Sequence, residues 1–197
     1  MEPMPQPGDI LVFDGSDWSD IVKIAGHVLS NGIEVWTASN LSHSAMVYKD
    51  PKILIESTIL DGKSGPQLHP INGRIETYNG RMWLLVLADK VRASLDFDAM
   101  WKLADAKLAG GDTYNVGEIG AYLARKVPIL SWLPWFYKEN PHSEVCSELC
   151  AELLRAGGMA GLKPPEICPQ TLAEMRIYAQ SVQIKGQPSI IKNFNTV

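Results

Sequence analysis

Cysteine is scarce in this sequence: three of 197 residues, and an odd number. That excludes a disulfide framework and points to a reducing compartment, or to at least one free thiol among Cys146, Cys150 and Cys168. Positive charge is not in excess either, with 18 Lys plus Arg against 22 Asp plus Glu and a formal charge of -4. A broad electropositive face for nucleic acid is therefore not expected. No apolar run approaches the roughly 20 residues of a membrane-spanning helix. The Pro-rich start, Met1 to Gly8, lacks the basic and apolar regions of a cleaved secretion signal. Repeats, low-complexity stretches and linkers are missing as well. With 46% hydrophobic and 20% charged residues, the chain reads as one globular domain over 8–185, between a flexible tail at 1–7 and a C-terminal tail at 186–197.

Local patterns give that domain an α+β character, with strands in the first half and helices clustering in the second. Ile10-Leu11-Val12-Phe13 is a short apolar run bounded by turn residues, a buried strand. Trp18, Ile21, Val22, Ala25, Val28 and Leu29 follow helical spacing, with Ser16 or Asp17 as N-cap and Asn31-Gly32 as stop. Ser44 to Tyr48 and Ile53 to Ser57 are β-prone runs separated by four residues, and Met82 to Ala88 is a third after a Gly-marked loop. An antiparallel meander is the simplest arrangement. Phe97 to Leu108 reads as a helix ending at Gly110-Gly111, and Val116 to Lys126 as a shorter one. Val127 to Pro141, with Trp132, Trp135, Phe136 and Tyr137 among three prolines, reads as an apolar irregular loop. Cys146 to Ala156 carries Leu149, Cys150, Leu153 and Leu154 on one stripe before Gly157-Gly158. A helix near Thr171 to Ala179 and a strand near Val182 to Lys185 complete the chain.

Three of these segments carry residues able to do chemistry. Cys146 falls in the first turn of its helix, where unpaired N–H groups and the helix dipole favour a thiolate. Its alternative is a small core residue in phase with Leu149, Cys150 and Leu153; Cys150, one turn further in among leucines, fits that description better. Among the histidines, His43 stands at the mouth of a strand between small residues. His27 lies in the first helix and His69 in a loop before Pro70, where surface or capping roles fit. Glu56 follows three aliphatic residues in a sheet interior and needs a partner. A two- or four-residue hairpin loop would project Glu56 and His43 from the same face, allowing Glu56 to orient His43; otherwise Glu56 pairs with a surface lysine. His142, Cys146 and Cys150 at i, i+4 and i+8 raise a zinc site, but the spacing does not match structural zinc patterns.

Taken in order, Gly8-Asp9-Ile10-Leu11, Ser42-His43-Ser44-Ala45-Met46-Val47, Ile55-Glu56-Ser57 and Cys146-Ser147-Glu148-Leu149 resemble the circularly permuted NlpC-type cysteine hydrolases, especially their YiiX-like branch. There the histidine strand precedes the nucleophile helix, the reverse of papain. The resemblance runs from Gly8 to about Met175 and takes in Gly65 to Pro70, Tyr114-Asn115 and Pro164-Pro165 to Leu172. It implies a papain-like fold with an antiparallel sheet packed against helices. It further implies Cys146 as nucleophile, His43 as general base and Glu56 as the orienting group, with Tyr114 and Ser147 on the cleft or oxyanion side. Two departures stand out: Val145, not Asp, precedes Cys146, and Glu148-Leu149 follow Ser147. They favour the permuted branch over a peptidoglycan-specific one.

The resemblance implies a cysteine peptidase or amidase of bacterial or phage origin that needs no cofactor and no metal. It would act on a small peptide, a peptidoglycan fragment or a lipid, as the permuted relative lecithin retinol acyltransferase does. A lipid acyl hydrolase or acyltransferase, or a noncatalytic binding module of the same fold, is the alternative. The expected location is the cytoplasm, or wherever a phage particle or secretion apparatus delivers the protein.

Overall fold

The computed structural model describes residues 3–15, 41–60, 63–110, 113–114, 143–144 and 146–197. The expected helices at Trp18 to Leu29 and Val116 to Lys126, the aromatic loop Val127 to Pro141, His27 and His142 lie outside them. The uninterrupted apolar run near the N-terminus forms β1, Ile10–Gly15, and Ile10, Leu11, Val12 and Phe13 are all fully buried. A strand apolar at successive positions has both faces covered, and β1 accordingly lies inside the sheet.

Around it fold β2 (His43–Val47), β3 (Ile53–Leu60), β4 (Lys63–Pro70), β5 (Gly80–Leu87) and β8 (Tyr178–Lys185), in the order β4-β3-β2-β1-β5-β8. Every neighbouring pair is antiparallel. Of the expected meander of β2, β3 and β5, only the β2–β3 hairpin forms; β5 is not beside β3 but pairs with β1 on the far side, from Ile10 opposite Leu85 to Gly15 opposite Gly80. The added strand β4 fills the segment read as a loop. Its Gly65, Pro66 and Pro70 are weak strand formers, tolerated because β4 is the edge of the sheet and an edge strand can spare N–H groups. A second, parallel pairing joins β6 (Thr113–Tyr114) to β7 (Ser143–Glu144).

Helices α1 (Ile71–Thr77), α2 (Asp89–Ser94), α3 (Phe97–Gly110), α4 (Cys146–Ala156) and α5 (Pro169–Ala173) complete the described elements, with a 3-10 turn at Pro164–Glu166. The core has two sides. Ile10, Val12, Met46, Ile55, Trp83 and Leu85 face α3 and α4, where Leu149, Cys150, Leu153 and Leu154 are completely buried. Burial of each such leucine contributes about 1.5–3 kcal/mol, enough to dock α4 on the sheet. Leu11, Phe13, Ala45, Val47, Leu54 and Met82 occupy the opposite face with Ile71 and Tyr78.

The last expected helix is shorter than its sequence suggests, because Tyr178 already pairs with Leu87 in β8 and donates its hydroxyl to the Leu172 carbonyl at 2.9 Å. Residues 174–177 must therefore turn. The closing segment packs against this region: Val197 N–H donates to Tyr178 O at 3.0 Å, and Phe194 stacks on the Tyr178 ring.

Candidate active site

The hairpin between β2 and β3 sets the geometry. Tyr48 N–H donates to Ile53 O at 2.8 Å, so the connection has four residues, and the register pairs Val47 with Leu54 and Met46 with Ile55. Side chains alternate along each strand, so His43 and Glu56 both project with Ala45, Val47 and Leu54 on the α1 side of the sheet. They meet there, His43 Nε2 lying 2.6 Å from Glu56 Oε2. A carboxylate only accepts hydrogen bonds, so Nε2 carries the hydrogen and Nδ1 is the nitrogen left for another partner. The His43 ring is fixed from a second direction by edge contact with Phe13, 5.0 Å between centroids.

Glu56 is completely buried, and three groups contact its carboxylate. Besides His43, His69 Nδ1 on β4 lies 2.8 Å from Oε1. Arg74, one turn into α1, places Nε 2.9 Å from Oε1 and Nη2 3.3 Å from Oε2. The alternative of a surface lysine partner for Glu56 falls away, and the loop role expected of His69 is corrected: β4 runs antiparallel to β3 and turns His69 onto the face of Glu56. Burial pushes the Glu56 carboxyl up, but the hydrogen bonds from His43 and His69 and the charges of His43 and Arg74 outweigh it and hold it far below the usual carboxylate range.

Cys146 is the first helical residue of α4 and is almost entirely buried, 4% exposed. Beyond the Met46 and Ile55 pair, β2 and β3 are no longer registered, and α4 packs against both. There the Ser44 main-chain N–H donates to the Cys146 sulfur and His43 hydrogen-bonds it from its ring. The Ser44 hydroxyl lies beside the same sulfur, buried and without a hydrogen-bond partner of good geometry.

Burial pushes the thiol up, but the charge and hydrogen bond of His43 and the Ser44 N–H bring it below its ordinary value. His43 is displaced the other way: burial lowers it, yet the charge of Cys146, the hydrogen bond to it and then Glu56 raise it to about 10. Opposite displacements of adjacent acid and base favour passage of the Cys146 proton to the His43 ring. A sulfur at a helix N-terminus, an imidazole beside it and a fixed carboxylate behind are thus brought into one line.

The remaining candidates divide. Ser147 is buried and its hydroxyl donates to Ile167 O at 2.7 Å, a tie between α4 and the turn before α5. Tyr114 is brought opposite Glu144, two residues before Cys146, by the pairing of β6 with β7. Cys150 is core, and Cys168 caps α5, its sulfur accepting from Thr171 N–H at 3.4 Å. Among the described residues no group of His, Cys, Asp and Glu is disposed to hold a metal ion, and no helix is long and apolar enough to cross a membrane. Sequence reasoning missed three contributors: His69, Arg74 and Ser44. Only the alternation of Gln67 and His69 about Leu68 could have suggested that His69 shares a strand face. No protein-family model matches the chain, and no curated protein matches it.

Proposed function

We propose that the protein is a thiol hydrolase of circularly permuted papain-like architecture, as the resemblance to NlpC-type enzymes implies, acting on the amide bond of a peptide. The supporting observation is the continuous line of contacts from Cys146 through His43 to Glu56, with the sulfur at a helix N-terminus. The Cys146 thiolate attacks the carbonyl carbon, and the negative charge passes to the carbonyl oxygen. The Cys146 main-chain N–H, a first-turn donor that no intrahelical carbonyl takes up, hydrogen-bonds that oxygen in this reading. The His43 imidazolium then gives its Nδ1 proton to the leaving amine, and the C–N bond breaks to leave a thioester. Neutral His43 next takes a proton from water, hydroxide adds to the thioester carbon, and the thiolate departs with the acid as product. Throughout, Glu56 accepts from Nε2–H and stabilises the charged ring.

Acid-quenching the protein with a panel of short peptide amides and lipid esters, followed by mass spectrometry, tests this reading. A substrate acyl group retained on Cys146, absent in Cys146→Ala and His43→Ala, is expected with a peptide amide. Acylation by the lipid esters alone would assign the same site to lipid acyl transfer. Turnover that survives both substitutions would remove the triad.

A further inference from the structure

The mechanism above uses one oxygen of Glu56. The other is held just as closely. His69 Nδ1 approaches Oε1 at 2.8 Å from β4, and Arg74 Nε approaches it at 2.9 Å from α1, while Oε2 faces His43 at 2.6 Å. Each donor stands on a different element, and the carboxylate between them is completely buried, so water does not substitute for any of them. The two contacts to Oε1 differ in what they fix. Arg74 reaches both oxygens, Oε1 with Nε at ion-pair distance and Oε2 through Nη2, and balances the charge of the carboxylate as a whole. His69 reaches only Oε1. It comes from the strand neighbouring Glu56, where Leu54 stands opposite His69 and Glu56 opposite Gln67, so the two residues are diagonal neighbours on one face.

Resting on the reading of Cys146 as nucleophile and His43 as base, we propose that His69 is a positioning residue of this site: its Nδ1–H holds Glu56 Oε1 and thereby keeps Oε2 on the His43 ring. Because the carboxylate accepts from both histidines, both rings are oriented by one group, and the hydrogen on His43 is kept on Nε2 with Nδ1 toward the sulfur. Loss of the His69 donor frees the carboxylate to turn toward Arg74. The hydrogen bond to His43 weakens, and with it the imidazolium that sustains the thiolate. A residue that merely filled space or solvated Glu56 would affect stability without affecting the sulfur.

The test is the rate of Cys146 alkylation by iodoacetamide across about pH 4 to 9, resolved by peptide mass spectrometry, with thermal unfolding of each variant recorded alongside. Variants are His69→Ala, His69→Asn and His69→Gln; an Asn amide falls near the Nδ1 position and a Gln amide near Nε2. In His69→Ala the midpoint of labelling is expected to move up by about one pH unit, a loss of about tenfold in thiolate on the acidic limb. His69→Asn is expected to restore the original midpoint and His69→Gln is not. If the alanine variant does not fold, the Asn and Gln pair decides alone, since both retain polarity and differ in where the donor sits. Equal midpoints in the parent and all folded variants overturn the positioning role and leave the triad standing. A parent protein whose Cys146 labels as an ordinary thiol overturns both.

Discussion

Glu56 is the residue on which the contacts of His43, His69 and Arg74 converge. It is completely buried, it touches His43, His69 and Arg74, and its charge stays in place against the cost of desolvation because all three are there. Glu56→Gln keeps the volume but offers an N–H where His43 now finds an acceptor, or forces His43 to its other tautomer. The expected outcome is a fall in turnover on the order of 10³- to 10⁴-fold, with stability lower by about 3–5 kcal/mol because Arg74 is left buried beside a neutral group. Urea unfolding and single-turnover acylation check the two parts separately. The pH dependence follows from the lowered Glu56 carboxyl. Its folded value lies below the ordinary 4.5, so the unfolded chain takes up a proton first. The stabilisation is fully present above about pH 4.5 and is lost as pH falls toward the lowered folded value. Urea midpoints of the parent should drop through that acidic window, and those of Glu56→Gln should drop less.

At the scale of the elements, legibility in the sequence followed the strength of the local signal. Strand β1, α3 and α4 could be read because an apolar run or a helical stripe survives every nearby turn signal, and α4 begins at Cys146 as read. His43 and Glu56 could be placed on one face because strand alternation and a four-residue loop suffice for that, whatever the rest of the sheet does. Strand β4 was illegible: Lys63 to Pro70 is polar, with a glycine and two prolines, and only its edge position makes it a strand. Helix α1 has seven residues and no side-chain cap, and its place is decided by Ile71 packing on the sheet. His69 and Arg74 were lost with those two elements. The pairing of β5 with β1 was hidden for a similar reason, being a long-range choice that local patterns do not encode. It leaves a sharp mark at Gly80, where an added Cβ would come within 2.4 Å of the Asp14 carbonyl oxygen. Gly80→Ala must push β1 and β5 apart, and a loss of about 1–3 kcal/mol in urea unfolding is expected. An unchanged midpoint would contradict that register.

Over the molecule as a whole, residues 43, 56, 69, 74 and 146 converge on one place, so the site exists only when the sheet and α4 are docked together. The N-terminal segment is tied to β5 and α2 through a second buried carboxylate, Asp9. It accepts from Gln6 N–H at 2.8 Å, Leu87 N–H at 2.9 Å and Arg92 at 2.5 Å, while Arg92 also donates to the Pro7 carbonyl. Burial raises the Asp9 carboxyl, against the pull of Leu87 N–H, Gln6 N–H and Arg92. Arg92→Ala is expected to cost about 3 kcal/mol near neutral pH, by leaving the buried charge without its cation, and less in acid, where Asp9 is neutral. Thermal unfolding at the two pH values checks this, and Cys146 reactivity in the folded variant should stay as it was, since Arg92 is not among the groups around Glu56.

The central claim is that His43 holds Cys146 as a thiolate. Its most direct test is the alkylation rate of Cys146, Cys150 and Cys168 across about pH 4 to 9 in the parent and in His43→Ala. The result expected is fast labelling confined to Cys146, with a midpoint well below the ordinary thiol value that moves up when His43 is removed. A Cys146 that resists the reagent until the protein unfolds, or that labels identically with and without His43, would contradict the account.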